Sequence, residues 1–307
     1  MAPIDAVYIM QKLNDLIIGG LMSERKDKII EFIKKTIHDH EFYGAVIGIS
    51  GGLDSTVVAK LLIEALGPKK VMGLSMPERD SSRKVAIDSR FVCENLGLEC
   101  KTINLSRQLR AMGVYSLKPP TFLFTEKFKE KYAKGLWENM ENPYIADLRS
   151  SGDMENRKNQ AYYRAKNRMR MVNLYFEAEK RRYAVIGTTN KTEYDLGLYV
   201  KWGDESADIE PIIHLYKTEV FALARELGVP DRILAKAPSP DIAPGITDEY
   251  LLGMDYITID RILIKIYNNS DLSEENEKNV KAVKAILENV KYRKTKELSL
   301  CKEVLNE

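Results

Sequence analysis

The 307-residue sequence has few cysteines, no long apolar run and little excess of either charge. Its cysteines, Cys93, Cys100 and Cys301, form no CxxC pair and no metal-ligand spacing, a pattern that fits the reducing cytosol. Without an apolar run of about 18 residues we expect no transmembrane helix, and the start of the chain lacks the basic region of a signal peptide. The net charge of +2 predicts no nucleic-acid partner and no membrane partner. These absences predict a cytoplasmic protein.

What is present is a globular composition, with 44% hydrophobic and 30% charged residues. Amphipathic patterns predict helices at 4–18 and 26–39. Strands and helices then alternate, with strand 45–50, helix 54–66, strand 71–76, helix 81–96, strand 100–105, helix 157–181 and strand 183–187. This order predicts an α/β fold with a doubly wound, mostly parallel sheet, whose ligand lies at the carboxyl ends of the strands.

The whole chain, residues 1–307, is predicted to form a single domain. N-terminal helices fall within 1–40, and a helical C-terminal part covers 215–307, with helices at 216–227, 247–268 and 273–291. Residues 106–155 interrupt the pattern, since they contain Pro119-Pro120 and no clean period. Such a long irregular connection indicates an insertion, a lid or an interface segment.

A glycine loop follows the first predicted strand directly. It reads Ser-Gly-Gly-Leu-Asp-Ser over 50–55 and opens an apolar helix. Glycines permit close backbone approach, and the free N–H groups of a helix N-terminus attract anions. Asp54 is placed to hold the Mg²⁺ that accompanies a nucleoside triphosphate. The lysine of a P-loop is absent, and the loop instead resembles the S-G-G-x-D-S loop of the ATP pyrophosphatase family, which releases pyrophosphate from ATP.

Polar residues also follow the strand predicted at 183–187. Gly-Thr-Thr-Asn-Lys-Thr-Glu occupies 187–193, and Lys217 opens a Lys-Thr-Glu-Val segment. The carboxyl ends of parallel strands meet at one edge of a sheet. Glu193 is therefore predicted to join Asp54 around Mg²⁺, and Lys217 to balance phosphate charge.

Together these segments resemble the ammonia-dependent NAD synthetases of the ATP pyrophosphatase superfamily. That family reads G-T-x-x-x-x-E, then K-[YFW]-G-D-x-x-x-D-I-x-P, then K-T-x-V, and the matches here begin at 187, 201 and 217. Further matches begin at Lys166 (K-A-R-x-R-M), Lys236 (K-x-P-[ST]-x-[DE]), Thr247 (T-D-E) and Gly253 (G-x-x-Y-x-x-I-D). The resemblance covers roughly 25–105 and 156–270.

The resemblance implies a two-step amidation. The nicotinate carboxylate of deamido-NAD attacks the α-phosphorus of ATP, pyrophosphate leaves, and ammonia then displaces AMP from the acyl-adenylate. The residues that would contact ATP, carried over by motif position, are Gly48, Ile49, Ser50, Gly51, Gly52, Leu53, Asp54, Ser55, Thr188, Lys217 and Ser239. Asp54 and Glu193 would bind Mg²⁺.

The predicted catalytic residues are Asp54 and Asp204. Asp204 would hold or deprotonate ammonium, because a cationic precursor of the nucleophile needs an anionic partner. Contacts to deamido-NAD are carried over to Arg168, Lys201 and Asp208. The resemblance also implies a homodimer, and apolar residues predict its interface at 106–122 and 157–181, among them Met112, Val114, Tyr162 and Val172.

Two departures from the family pattern concern the substrate loops. The family's G-D-G-G becomes Gly-Asp-Glu-Ser at 203–206, and its C-terminal His-Lys-Arg cluster is present only as Tyr-Arg-Lys at 292–294. About 40 residues precede the glycine loop, too few for a glutaminase domain. We therefore expect ammonia itself to be the donor, while a separate glutaminase subunit stays open.

Three other functions are compatible with parts of the sequence. A tRNA-modifying enzyme of the superfamily would use the nine basic residues at 157–182, but it would need catalytic cysteines that are not evident. A related ligase for a different carboxylate would account for the altered loop at 203–206 and for the insertion. A nucleotide-binding module without activity is disfavoured, because all the polar residues of the predicted site are present.

Overall fold

The computed structural model describes residues 19–120, 124–125, 135, 143–236 and 247–295. Its sheet consists of β1 (Gly44–Gly48), β2 (Val71–Ser75), β3 (Glu99–Thr102) and β4 (Tyr183–Ile186). All pairings are parallel, and the strand order is β3-β2-β1-β4. The order reverses between β1 and β4, and in open α/β sheets such a switch point opens a crevice at the carboxyl edge.

The helices of the described part are α1 (Gly19–Asp39), α2 (Leu53–Leu66), α3 (Arg83–Leu96), α4 (Ser106–Ala111), α5 (Pro143–Leu148), α6 (Met154–Glu179), α7 (Lys191–Leu196), α8 (Lys217–Glu226), α9 (Asp231–Leu234), α10 (Asp248–Leu252), α11 (Tyr256–Tyr267), α12 (Glu277–Asn289) and α13 (Lys291–Lys294). Short 3₁₀ turns cover Pro68–Lys70 and Val114–Ser116. Within these ranges no helix is long and apolar enough to cross a membrane.

Both faces of the sheet are covered by helices, which confirms the predicted doubly wound arrangement. Alternate residues of a strand point to opposite faces. Ala45 and Ile47 of β1 pack in a core with α1, α2, α3 and α8, whereas Val46 packs in a second core with α4 and α6. Each such fully buried valine or isoleucine contributes about 1.5–3 kcal/mol to folding.

The C-terminal helices build a third core beside the carboxyl edge of the sheet. Ile259 and Leu263 of α11 and Val283 of α12 pack there with Leu148 of α5 and Leu196 of α7. Because α7 follows β4 after a short loop, this core supports the loop from behind. The helical C-terminal part thereby becomes one wall of the region around the switch point.

The structure corrects the prediction of one helix over 247–268. α10 and α11 are separate, because Gly253 adopts a φ of 71° and ends α10. The Asp255 carboxylate then accepts the Thr258 N–H at 2.7 Å and starts α11. The irregular segment at 106–155 contains α4, α5 and the first residues of α6. The helix predicted at 4–18 lies outside the described residues.

Two further expectations change with the structure. The cysteine pattern predicts separate thiols, but Cys93 of α3 and Cys100 of β3 lie side by side as a pair, with Cα atoms 6.0 Å apart. Val114 and Tyr162, expected at a subunit interface, are instead buried inside the subunit, at 6% and 5% exposure. Both side chains belong to the core between α4 and α6.

Candidate active site

A cleft of ≈ 310 Å³ opens at the carboxyl edge of the sheet, near the ends of β1, β2 and β4. Its lining includes Gly48 and Ile49 at the end of β1, Ser50 and Ser55 of the glycine loop, Thr188 and Glu193 after β4, Asp204 and Asp248. Most of the predicted ATP contacts thus lie in or beside one cavity. Thr188 is free to face the cavity, because Asn190 is the residue that caps α7.

Gly51 is the residue of the glycine loop for which glycine is required. Its φ of 73° is one that other residues rarely adopt, and a Cβ atom there would lie 2.7 Å from Asp88 Cβ. Lys236 Nζ lies 2.7 Å from buried Asp88 and also donates to the Gly51 carbonyl at 2.7 Å. The loop is therefore held from behind, while the hydroxyls of Ser50 and Ser55, 3.1 Å apart, line the cleft.

Lys217 lies between the two carboxylates predicted to bind Mg²⁺. Its Nζ donates to Asp54 Oδ2 at 2.5 Å and to Glu193 Oε1 at 3.2 Å. The lysine is only 2% exposed. The structure therefore brings together three residues that the sequence places on separate elements, the N-termini of α2, α7 and α8.

Asp260 of α11 anchors the N-terminus of α8, where Lys217 lies. One Asp260 oxygen accepts the Thr218 N–H at 2.9 Å, and the other accepts the Thr192 hydroxyl at 2.5 Å. Thr192 Oγ1 in turn accepts the Lys217 N–H at 2.9 Å. The first N–H groups of a helix need such acceptors. This chain of hydrogen bonds explains why polar residues recur in the segments that begin at 187, 217 and 253.

One lysine does not balance all the acids that surround it. Asp248 is a third carboxylate near Lys217, and it is buried and accepts the Tyr256 hydroxyl at 2.7 Å. Burial raises the pKa of Glu193 to about 8; Lys217 opposes this rise, and the charges of Asp54 and Asp248 add to it. Burial lowers the pKa of Lys217, but its acidic neighbours outweigh that effect and raise the pKa overall. Of the two hydrogen-bonded partners, Glu193 is the more distant, and it is the group that keeps a proton up to about pH 8.

Oxygen ligands and excess negative charge are the conditions under which proteins bind Mg²⁺, commonly with one or two carboxylates and the phosphates of a substrate. Asp54 and Glu193 bring two carboxyl groups to one point, since both lie within hydrogen-bond reach of the Lys217 ammonium group. A bound Mg²⁺ would displace the proton that the raised pKa keeps on Glu193. In the described part of the chain, no group of three or more His, Cys, Asp or Glu side chains is placed to hold a metal alone. The donor set thus fits a magnesium ion that is completed by phosphate oxygens.

The loop at 201–206 presents Asp204 to the cleft. Asp204 Oδ1 accepts the Val200 N–H at 2.6 Å. Trp202 has a φ of 62°, and its N–H donates to Glu205 Oε2 at 2.9 Å. Glu205, which departs from the family's glycine, therefore closes this turn with its side chain. Asp204 is exposed as a residue and lines the cleft. Desolvation of its carboxyl group by the surrounding protein raises its pKa to about 6.

The three residues predicted to contact deamido-NAD do not line this cleft. Arg168 of α6 donates to the Lys201 carbonyl at 3.0 Å, and Lys201 Nζ donates to the Tyr292 carbonyl at 3.2 Å. Asp208 accepts the Val185 N–H at 2.7 Å and so ties the loop to β4. Arg168 and Lys201 form an adjoining surface that the C-terminal Tyr-Arg-Lys segment also borders.

Three residues of the site, Asn190, Asp248 and Arg170, have no role in the sequence prediction. Asn190 is fully buried, and its amide donates to Asp54 Oδ1 at 3.0 Å. Asp248 lines the cleft, although its Thr-Asp-Glu segment served in the sequence only to carry the resemblance. A buried polar residue next to a predicted metal ligand has no signal in a single sequence. Ser239, a predicted ATP contact, lies outside the described residues.

Arg170 is the third unpredicted residue, and it belongs to the same segment as Arg168. Arg170 lines the cleft and donates to Asn167 Oδ1 at 2.7 Å. The signal that points to Arg170 is helical spacing, since residues three and four apart share a face. The cleft-lining face of α6 consists of Asn167, Arg170, Met171 and Leu174.

The parallel sheet, the glycine loop at its switch point and the lysine-linked carboxylates define a nucleotide-binding α/β protein. The family model for NAD synthase matches residues 26–134 and 131–298. The NH3-dependent NAD+ synthetase of Thermotoga maritima is 51% identical over 271 residues, which cover 88% of this chain and 96% of that protein. The chain therefore belongs to the NAD synthase family, a family of ligases that catalyse the ATP-dependent amidation of deamido-NAD.

Solved structures agree with the fold. The NMN synthetase from Francisella tularensis superposes with a TM-score of 0.67 at 25% identity, over 91% of this chain and 97% of that one. The NH3-dependent NAD synthetase from Campylobacter jejuni gives a TM-score of 0.66 at 24% identity, over 91% and 99%. This likeness confirms the predicted α/β fold with a doubly wound, mostly parallel sheet, which in these NAD synthetases is the adenine nucleotide alpha hydrolase-like fold.

Proposed function

We propose that this chain amidates deamido-NAD to NAD with free ammonia and ATP, releasing AMP and pyrophosphate. The observation that carries the proposal is the convergence of Asp54, Glu193 and Lys217 beside the glycine loop. A carboxylate is a poor electrophile, so activation by ATP must precede attack by ammonia. Stabilisation of phosphate charge is the main task of a protein in such a transfer.

In the first step the nicotinate carboxylate attacks the α-phosphorus, and the bond to the leaving pyrophosphate breaks. The N–H groups of the glycine loop and the Ser50 and Ser55 hydroxyls orient the phosphates, and Lys217 stabilises their charge. Mg²⁺ held by Asp54 and Glu193 would neutralise further phosphate charge. Because Lys217 already bridges both carboxylates, the phosphates enter a site whose charges are fixed in place beforehand.

In the second step ammonia attacks the acyl carbon and AMP leaves. Asp204 faces the cleft, and its raised pKa lets it accept a proton from ammonium near neutral pH. We assign Arg168, Lys201 and Asp208 to deamido-NAD as part of the same proposal. Arg168 and Lys201 are the basic groups on the surface next to the cleft, where they suit the second phosphate-bearing half of a dinucleotide.

A homodimer is also part of this proposal. Val172 and Phe176 of α6 are 61% and 59% exposed, a high value for apolar side chains. They follow Arg168 at intervals of four residues, so all three lie on one face of the helix. Met112 is exposed as well. A two-fold axis at this face would bring a partner subunit next to Arg168 and the dinucleotide.

The test is a coupled assay with ATP, Mg²⁺, ammonium and deamido-NAD that follows NAD and pyrophosphate. We expect equal amounts of both products. Nicotinate mononucleotide in place of deamido-NAD, and glutamine in place of ammonium, are the matched controls and should react at least tenfold more slowly. Product from the mononucleotide at an equal rate would contradict the assigned substrate. We also assign the reaction to the cytoplasm. Recovery of the enzyme in a membrane fraction or a secreted fraction would contradict this assignment.

A further inference from the structure

A network of charged side chains lies behind one wall of the cleft, in the loop that follows β2 (residues 76–82, the β2 loop). The side chains of Glu78, Arg79, Asp80 and of Lys166 on α6 are between 4% and 12% exposed. Lys166 Nζ lies 2.9 Å from Glu78 Oε1 and 3.3 Å from Asp80 Oδ2. None of these four residues lines the cleft, and the amidation chemistry does not use them.

The irregular segment after α4, residues 114–119, joins this network through Tyr115. Its hydroxyl donates to Glu78 Oε2 at 2.9 Å and accepts the backbone N–H of Arg79 at 3.2 Å. The Arg79 guanidinium carbon lies 4.0 Å from the centroid of the Tyr115 ring. The same guanidinium is 3.4 Å from the Lys118 carbonyl oxygen. The segment therefore contacts the β2 loop on the side away from the cleft.

The other side of the β2 loop forms the cleft wall. Met76, Pro77 and Ser81 line the cavity, and Val85 of α3 continues the same wall. This wall is mainly apolar, whereas the glycine loop across the cavity offers N–H and hydroxyl groups. A nucleotide whose phosphates lie on the glycine loop would place its planar base against the apolar wall.

Buried ion pairs seldom stabilise a fold more than apolar packing would, because both charges lose their hydration. What they do provide is one defined geometry, since a displaced partner leaves a buried charge unpaired. Here two acids, two bases and two tyrosines, Tyr115 and Tyr162, join three elements, namely the β2 loop, α6 and the segment at 114–119. A shift of the β2 loop by one residue would break contacts to both of its neighbours.

We propose that the segment at 114–119, acting through Tyr115 and the Glu78–Lys166 pair, positions the β2 loop as the base-side wall of the nucleotide site. Tyr115 and Lys166 are then positioning residues for ATP. The inference rests on the proposed function, because it takes ATP as the ligand of the cleft. The inference gives a role to residues 114–119, which belong to the irregular segment and match no motif of the family.

The experiment compares Tyr115→Phe and Lys166→Met with the unaltered enzyme. Tyr115→Phe removes one hydroxyl and keeps the ring beneath Arg79. Loss of a buried hydrogen bond should raise KM for ATP about tenfold, with kcat within about twofold. Inhibition by inorganic pyrophosphate, which has no base, should not change. A general loosening of the fold would weaken both ligands, so this comparison separates positioning from instability.

Lys101→Met is the matched control. Lys101 also pairs with a buried glutamate of α6, Glu177, at 2.8 Å, but neither residue lines the cleft. This variant should lower Tm without changing KM for ATP. An unchanged KM in both Tyr115→Phe and Lys166→Met, or an equal loss of pyrophosphate affinity, would overturn the inference. Calorimetric binding of ATP needs no turnover, so it tests the inference even if the chain fails to amidate deamido-NAD.

Discussion

Lys217 donates a 2.5 Å hydrogen bond to Asp54 across 163 positions of sequence. The contact links the N-terminus of α8 to the end of the glycine loop, on opposite sides of the switch point in the sheet. Its neighbour Glu193 completes a site with more acid than base. Folding such a site without a ligand is costly, because more acidic than basic groups are buried together. The site is therefore suited to a ligand that brings positive charge and also accepts hydrogen bonds.

Lys217→Met should destabilise the protein and abolish activation of the substrate. The three acids around the lysine would lose their cation, and breaking a buried ion pair costs about 3–5 kcal/mol. The loss should be smaller at pH 5 than at pH 8, because protonation neutralises the acids left behind. Urea unfolding at both pH values measures this effect, and pyrophosphate release measures activation. Lys294→Met, which removes a more exposed partner of Asp195, is the control; equal stability of the two variants would contradict the prediction.

Asp54→Asn and Glu193→Gln should each abolish the effect of Mg²⁺ on nucleotide binding while the fold is kept. At Mg²⁺ and a non-hydrolysable ATP analogue near 100 times Kd, ligand binding stabilises the unaltered protein by about 2.7 kcal/mol. Thermal unfolding with and without Mg²⁺ measures this difference. Glu275→Gln, which alters a buried acid paired with Arg261, should lower Tm but keep the Mg²⁺ effect. A full Mg²⁺ effect in either site variant would rule out the metal assignment.

The sheet and the glycine loop were predictable because their signals are local. The apolar run of β1, the two glycines after it and the apolar helix that follows lie within a few residues of each other. The motifs at 187 and 217 add the second half of the site, since parallel strands bring their carboxyl ends together. Glu193 and Lys217 could therefore be placed near Asp54 without knowledge of any contact.

The remaining features depend on tertiary geometry. Helical spacing groups Arg170 with Asn167 and Met171 on one face of α6, but the rotation of α6 that turns this face to the cleft is not defined by the sequence. Asn190 reaches Asp54 only because α2 and α7 begin at adjacent strand ends. The pairing of Cys93 with Cys100 likewise requires the close return from α3 to β3. Gly253 was visible in the sequence, but its left-handed conformation was not.

Val172→Glu and Phe176→Glu should convert the proposed dimer into monomers. Each places a charge in an apolar contact, where burial without a partner is unfavourable. Light scattering should give about 35.1 kDa for the variants and about twice that for the unaltered protein. Phe32→Glu, at an exposed apolar residue of α1, is the control and should stay dimeric. An unaltered protein that is monomeric and fully active at assay concentration would refute the dimer.

Asp204→Asn should impair amidation more than activation, by about 10²-fold, if Asp204 accepts the proton of ammonium. An adenylated intermediate should then accumulate in a single turnover. The pKa of Asp204 is raised from 3.8 to about 6, so its carboxylate forms as pH rises through about 6. The concentration of free ammonia also increases with pH and affects both proteins equally. The quantity to measure is therefore the amidation rate of the unaltered enzyme divided by that of Asp204→Asn. This ratio should be near one well below pH 6 and should rise to a plateau above it.

The same pKa predicts the sign of a stability effect. Because the folded protein favours neutral Asp204, the folded state binds more protons than the unfolded chain between pH 3.8 and about 6. The contribution of Asp204 to stability therefore falls as pH rises through this interval. Asp204→Asn has no such loss and should gain stability relative to the unaltered protein over the same interval. A rate ratio that does not change with pH, together with an equal loss of activation and amidation, would show that Asp204 only closes the turn at Val200.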